Sequence, residues 1–561
     1  MTTITSLRNT QSNAANQESS DNQYSFKYFS PNINHKLSKS AKIIIIGLFA
    51  YSECHALQTI TVDSRSAYNV SNSEDIKLMR QYFHEASMEN PLSKGTMKIL
   101  EPIGISKARI LNVESPNSLD IEPITKKLSF RFSDRLSLVL ANCKTNNLIP
   151  HIAVAQVPQN AIAAGIASGR KYGIADWNAY EAYAYAFLKH VTVDSGFNEA
   201  DFEVANEPDT TGMAWMFAEK LGNSSRRAMA EYLKIYAAWS NAANKLTKEH
   251  PELKIRLGGP AMTTFSFGGF GTINWAEEFL KGVAAQNSRI DFFSFHYYGN
   301  VQPLVGMPYF GRYPTITELS EFLHSKLNEL GLADVPIMFS EWGPSFETRN
   351  IPKALINGNN IGASWVARFV LDAAENNIDE GALLTFFDHK AANAEGVLEN
   401  LWGWPSLLHS DTQTPKAIYN VATMLNRLPD HRVSTVPVRQ DSIGVIASSD
   451  SSKVGVLVFN QNWDFINVQE LAPTEQARII LKNLPFSASK VNVTKSVISE
   501  TQANPYFIYL NNNLNKWQTL EAKSLRSTRM RPISLANGTV TIPDADLPPS
   551  SVTLWEITPA E

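Results

Sequence analysis

From residue 93 onward the apolar positions of the chain switch repeatedly between two periods. Short runs in which every residue or every second residue is apolar read as strands: KARILNV (Lys107 to Val113), PHIAVAQVP (Pro150 to Pro158), DFEVANEP (Asp201 to Pro208), KIRLGGPA (Lys254 to Ala261), DFFSFHYYG (Asp291 to Gly299), PIMFSEWG (Pro336 to Gly343) and GALLTFFDH (Gly381 to His389). Between and after them apolar residues recur every three or four positions, the mark of a helix with one buried stripe. These helices cover Asp134 to Asn147, Asp176 to Val191, Met229 to Glu249, Trp275 to Gln286, Thr317 to Gly331, Gly362 to Asn377 and Pro415 to Leu428, with Asp176 placed to cap its helix. Tyr180, Tyr183 and Phe187 recur at helical spacing and read as core. Seven strands are placed and an eighth is expected upstream, so the pattern predicts an α/β fold, a (β/α)8 TIM barrel over residues 57–428.

Beyond Pro429 only short strands remain. VGVLVFNQ, VNVTKSVI, GTVTIPD and SSVTLWEI are separated by Asn, Pro, Ser and Gly without a helical pattern, which predicts a C-terminal antiparallel β-sandwich over residues 429–561. The early run TITVDS (Thr59 to Ser64) fits two places, so residues 57–90 either open the barrel or pair with the sandwich. Residues 1–56 read as a leader. The first 35 are rich in Asn, Ser, Thr and Gln and read as disordered. Lys36, Lys39 and Lys42 then precede the apolar run IIIIGLFAY (Ile43 to Tyr51), and Cys54 to Ala56 supplies small residues. Charge, apolar run and small-residue exit follow the order of a secretory signal peptide displaced from Met1, so the expected location is secreted or periplasmic. The apolar run is too short to span a bilayer, and no stable membrane insertion is expected.

Composition narrows the function. The chain has 561 residues, 43% hydrophobic and 19% charged, enough to bury a large core in more than one domain. Lysine and arginine number 50 against 54 aspartates and glutamates, and no basic stripe with interleaved aromatics is present, which argues against a nucleic-acid partner. Cys54 would leave with the leader, and Cys143 in LSLVLANCKTNN reads as a small core residue rather than a nucleophile. No close His, Cys and carboxylate cluster has metal-ligand spacing, and Gly268-Gly269-Phe270-Gly271 lacks the setting and the lysine of a phosphate loop. Neither a metal nor an organic cofactor is expected.

Two carboxylates interrupt the apolar pattern where chemistry would sit. Phe202 and Val204 alternate toward Asn206-Glu207-Pro208, where proline ends strand pairing, and PIMFSEWG carries Glu341 at the end of a second buried run. In parallel α/β architectures the C-terminal rim of the strands gathers ligands, because the loops leaving it converge on one mouth. Paired carboxylates there suit cleavage of a glycosidic bond, one protonating the leaving oxygen and the other attacking the sugar or activating water.

With NEP closing one strand, HYY the strand two units later and SEW the next, the chain resembles the clan A retaining glycoside hydrolases. Within them it is most similar to glycoside hydrolase family 39, the β-xylosidase and α-L-iduronidase family. The resemblance extends over residues 90–560 and includes KARIL, the WGWPSLL segment before PKAIY, and the terminal LPPSSVTLWEI. It implies a retaining O-glycosyl hydrolase of β-xylosidase type acting on an oligo- or polysaccharide, with Glu207 as general acid/base and Glu341 as nucleophile. Glu207 must then hold a proton near neutral pH, which a partly desolvated site beside a second carboxylate promotes. Glu341 must stay ionised and needs donors, for which Arg109 and Tyr298 are the candidates. Asn206 would bind the sugar 2-hydroxyl, His296 would line the same rim, and Trp342 and Trp402 complete the expected sugar contacts. The chain departs from the clan at the eighth strand, which ends TFFDH where members commonly place a sugar-stacking Trp, so Phe386, Phe387 or Trp402 would supply the floor. Trp215, Phe265, Phe267, Tyr309 and Phe310 offer outer subsites. The competing readings are a non-catalytic carbohydrate-binding protein or pseudoenzyme of the same fold, and an interaction protein whose sandwich does the work.

Overall fold

Eight parallel strands close on themselves in a computed structural model that describes residues 57–67, 79–87, 98–111, 113, 118–122, 124–155, 157–158, 174, 176–209, 226–264, 267, 273–299, 314–345, 356–387, 390–392, 398–400, 405–409, 414–464, 469–506 and 525–560. The expected leader and Trp402 lie outside these residues. The first described strand, β1 (Leu57–Ala67), does not belong to the barrel. The barrel consists of β2 (His84–Ser87), β3 (Lys107–Ile110), β4 (Ile149–Val154), β5 (Glu199–Val204), β6 (Lys254–Thr263), β7 (Phe292–Tyr298), β8 (Ile337–Gly343) and β9 (Glu380–Leu383). Each pairs with its successor in the chain, and β9 closes on β2. The strand missing from the periodicity is therefore β2, whose sequence HEAS holds a single apolar residue and so shows no apolar run.

The outer layer contains α1 (Asp134–Thr145), α2 (Trp177–Lys189), α3 (Arg226–Glu249), α4 (Trp275–Gln286), α5 (Ile316–Glu329), α6 (Asn360–Glu375) and α7 (Ala417–Arg427). Their starts are written in the sequence as caps. Ser133 accepts from the Leu136 amide at 3.0 Å, Asp176 from Ala179 at 2.9 Å, and Thr315 with Glu318 forms a capping box. Tyr180, Tyr183 and Phe187 are buried in the layer between α2, α3 and the barrel, as are Phe202 and Val204 of β5.

Because neighbouring side chains on a strand face opposite ways, the residues between those apolar ones share the barrel interior. In β3 these are Lys107 and Arg109, and in β5 Asp201 and Glu203. The lower interior is ionic: Lys107 Nζ lies 3.0 Å from Asp201 and 2.7 Å from Glu380, and Arg256 Nε lies 2.7 Å from Asp201. Buried charges persist only when paired, and here acids and bases alternate.

A second sheet follows the barrel, formed by β10 (His431–Val436), β11 (Ile443–Ser449), β12 (Val454–Asn460), β13 (Glu475–Lys482), β14 (Lys490–Ile498), β15 (Val540–Leu547) and β16 (Ser551–Pro559). Its path runs β14-β16-β12-β11-β10-β1-β13-β15, and residues from both arms, Ile479 and Val493 among them, share one buried cluster with Trp555. The sheet is mixed rather than antiparallel throughout, because β1 pairs parallel to β13 while lying antiparallel to β10. A strand that arrives from before the barrel has no hairpin to dictate its direction. Barrel and sheet fall in one compact unit, His55–Glu561. Among the described residues no helix is long and apolar enough to cross a membrane.

Candidate active site

The ends of β3, β5, β7 and β8 bring Arg109, Asn206, Glu207, His296, Tyr298 and Glu341 together. After β5 the chain turns sharply. Ala205 has φ 84° and Glu207 φ 47°, left-handed values that non-glycine residues seldom adopt and that concentrate at functional sites. The turn is held from two sides: the Ala205 amide donates to Val154 O at 3.1 Å, and the Glu207 amide donates to Ala261 O at 2.8 Å. Just beyond it, the buried Asp209 carboxylate accepts from the Thr263 amide at 3.1 Å and from its hydroxyl at 2.5 Å. The Glu207 side chain, 32% exposed, thus projects from a fixed corner into the mouth.

Glu341 lies in a deeper setting, 8% exposed, within β8 rather than at its end. Tyr298 OH donates to its Oε1, and Arg109 Nη1 faces its Oε2 at 3.5 Å. Burial first, then the Glu341 charge, hold the Tyr298 phenol well above its ordinary pKa, so it remains a donor. Arg109 is 1% exposed and spreads its fork over four partners. Nε donates to Glu203 at 2.7 Å, and Nη2 lies 2.6 Å from the same carboxylate, 2.9 Å from Asn206 Oδ1 and 3.4 Å from His296 Nε2. That contact fixes the Asn206 amide with its nitrogen as the remaining donor.

His296 links the two acids, with Nδ1 2.9 Å from Glu207 Oε1 and 3.8 Å from Glu341 Oε2. Arg109 can only donate, so in the neutral ring its contact makes Nε2 the acceptor and leaves the proton on Nδ1, toward Glu207. Burial depresses the imidazole pKa, but Glu341 and Glu207 together raise it above the ordinary value against the opposition of Arg109. One oxygen each from Glu207 and Glu341 and one His296 nitrogen lie within 4.8 Å of one another, close enough to ligate a cation. Arg109 already supplies the positive charge beside Glu341, and the cluster reads as an acid–base site.

Three expected contacts are not part of this group. Trp342 is fully buried on the opposite side of β8, donating from Nε1 to Tyr82 O at 2.7 Å and stacking on Phe369 at 4.4 Å. The alternation that points Glu341 inward sends Trp342 into the helix layer, and the expectation of a sugar contact there is wrong. Phe386 and Phe267 are also fully buried, Phe267 packing edge-on against Phe295 at 5.1 Å, so neither offers a face to a ligand. Phe387 is half-buried. Trp402, Trp215, Phe265, Tyr309 and Phe310 lie outside the described residues. Conversely, Glu203 and His151 beneath Arg109 were missed, although polar residues at alternate positions of KARI and DFEV signal a charged barrel interior.

The sequence profile of the family described as glycosyl hydrolases family 39 matches residues 115–532. No curated protein matches the sequence. Among solved structures, a monomeric β-xylosidase from Caulobacter crescentus CB15 is similar at 15% identity and TM-score 0.65, over 90% of this chain and 100% of that one. A family 39 enzyme from Xanthomonas axonopodis pv. citri matches at 16% and 0.66, over 91% and 100%, and a glucosidase from Croceicoccus marinus at 14% and 0.58, over 90% and 100%. At such identities the likeness is one of fold.

Proposed function

The chain belongs to glycosyl hydrolases family 39, and from that premise we propose that it cleaves a β-linked or equivalent equatorial glycoside with retention of configuration, Glu207 serving as acid/base and Glu341 as nucleophile. The observation that carries this reading is the spacing of the acids, whose nearest oxygens lie within 4.8 Å. Retaining enzymes hold their carboxyl groups about 5–5.5 Å apart, whereas inverting ones leave roughly 6.5–9.5 Å for a water.

In the first step a Glu341 oxygen attacks the anomeric carbon while the bond to the leaving oxygen breaks and Glu207 delivers its proton there. In the second, Glu207 takes a proton from water, the water oxygen attacks the anomeric carbon, and the Glu341 carboxylate departs. Arg109 and Tyr298 hold Glu341 in position, and Asn206 donates to the sugar 2-hydroxyl, a contact that strengthens in the transition state. A xylose-type unit is the first substrate class to test, given the β-xylosidase among the similar structures.

Trapping with a 2-fluoro glycoside tests the mechanism. Covalent label is expected on Glu341, and label elsewhere or an inverted product would sink it. A carbohydrate-binding pseudoenzyme would bind the reagent without turnover or labelling. Export belongs to the same proposal: release near Ala56 leaves β1, which starts at Leu57, whole. N-terminal sequencing checks it, and an intact Met1 on enzyme confined to the cytoplasm rejects it.

A further inference from the structure

Directly beneath the mouth, Glu203 and Arg109 form a pair with almost no exposed surface, 0% and 1%. Glu203 has no place in the two chemical steps. Its Oε2 takes the Nε edge of Arg109 at 2.7 Å, and its Oε1 has no hydrogen-bond partner among the described residues. Below it, His151 bridges two acids, with Nε2 3.8 Å from Glu203 and Nδ1 3.6 Å from Asp201. Charges therefore alternate down the barrel axis: Glu341, Arg109, Glu203, His151, Asp201, then Lys107 and Arg256.

Resting on the glycosidase reading, we propose that Glu203 is a positioning residue. It clamps one edge of Arg109 so that the other N–H groups face Glu341 and Asn206 together, and its charge sets how much of the Arg109 field reaches the nucleophile. A guanidinium is planar and rigid. Once Nε is fixed on Glu203, the plane has little freedom, and the 2.9 Å contact to Asn206 and the 3.5 Å approach to Glu341 follow from it. A neutral side chain at position 203 would leave the cation free to rotate toward Glu341 alone, separating nucleophile and 2-hydroxyl donor from their common support. The charged and titratable groups around Glu203 are Arg109 from β3, His151 from β4, Asp201 on β5 itself, His296 from β7 and, farther off, Tyr232 from α3. Burial raises the Glu203 pKa, but Arg109 and then His151 overcome this and hold it far below the ordinary range, so it is an anion at every working pH.

The test is Glu203→Gln, which preserves shape and removes charge. With that charge gone, Arg109 and His296 are less compensated beside the nucleophile. The acid limb of the kcat/KM profile is expected to move down by about one unit, taking a charge at a distance of several ångströms in protein of moderate dielectric. The rate at the optimum falls on the order of 100-fold, the scale of a small misplacement in a reacting group. Glu203→Asp keeps the charge at shorter reach, and is expected to retain the wild-type acid limb while losing rate. If Glu203 acts through Arg109, adding Glu203→Gln to Arg109→Lys costs little more than Arg109→Lys alone. Full additivity overturns the proposal.

A crystal structure of Glu203→Gln gives a readout independent of turnover. Arg109 is expected to release Asn206 or swing toward Glu341, and both contacts kept together with an unmoved pH profile reject the inference. If the wild-type protein turns over no glycoside, the glycosidase reading fails, and the displacement of Arg109 still decides this one.

Discussion

Glu341 and Glu207 differ in what holds them, and the difference predicts how each fails. Glu341 is gripped by Tyr298 and faced by Arg109, a setting that holds a nucleophile in place. Glu207 is half-open to the mouth and meets His296 at 2.9 Å, a setting through which protons pass. Glu341→Ala is expected to abolish turnover on every substrate. Glu207→Ala is expected to lose about 10²–10⁴-fold on substrates with poor leaving groups, the usual contribution of a general acid, and much less on activated aryl glycosides that need little protonation. Equal loss on both substrate kinds, measured as kcat/KM, contradicts the assignment. Both acids were legible in the sequence because each stands where a strand pattern ends, at Asn206-Glu207-Pro208 and at Glu341-Trp342-Gly343. Trp342 does not reach the mouth because adjacency in sequence is opposition in a strand, and an aromatic next to Glu341 faces the other way. Glu203 is harder to read for a related reason: Phe202 and Val204 mark DFEV as a strand, and only closure of the barrel turns the alternate Asp201 and Glu203 inward.

The turn that presents Glu207 depends on an element that carries no part of the chemistry. Tyr232 of α3 is fully buried and donates to the Val204 carbonyl at 2.6 Å, one residue before the left-handed Ala205. Burial drives its phenol pKa well up, so the donor persists at any working pH. Gly259 on β6 makes room for it, since a Cβ there would meet the Tyr232 hydroxyl at 2.9 Å. Tyr232→Phe leaves a buried carbonyl without this partner, expected to cost about 1–3 kcal/mol of stability. Because the loss lies under the Glu207 turn, kcat is expected to fall while thermal unfolding shows a single lowered transition. Normal kcat alongside a lowered Tm would show that the turn is held by its β4 and β6 contacts alone. At this scale the sequence was informative wherever an element is long and periodic. The helices and all but one barrel strand announced themselves, with Ser133, Asp176 and Thr315 marking helix starts. The exception, β2, reads HEAS with one apolar residue, and its identity comes only from closing the ring between β9 and β3.

The chain as a whole is tied together by its first described strand. Along Leu57–Asp63, β1 pairs with Gln476–Lys482 of β13, and Thr61–Asp63 also pairs with Ser434–Val436 of β10. Ile60 and Val62 are fully buried in the core shared with Ile479 and Trp555. Sequence periodicity identified this strand without deciding its place, because a six-residue alternation satisfies either sheet and only the long-range register selects one. The consequence is that the second sheet is not an independent appendage: one of its inner strands precedes the barrel, and residues 429–561 alone lack it. Barrel and sheet are further joined by the buried Arg432, 2.9 Å from Glu375 of α6, and by Asn360, which donates to Ser550 O at 2.9 Å. A chain beginning at Tyr68 would expose the facing edges of β10 and β13 and empty the space of Ile60 and Val62. Unpaired edges invite association and vacated core positions cost about 2–5 kcal/mol each for a large aliphatic side chain. Compared with a chain beginning at Leu57, it is expected to lose cooperative thermal unfolding by circular dichroism and to elute as aggregate in size-exclusion chromatography. A Tyr68 chain that stays monomeric and melts within a few degrees of the Leu57 chain would mean that the sheet closes without β1, and a processing point anywhere between the two would then be tolerated.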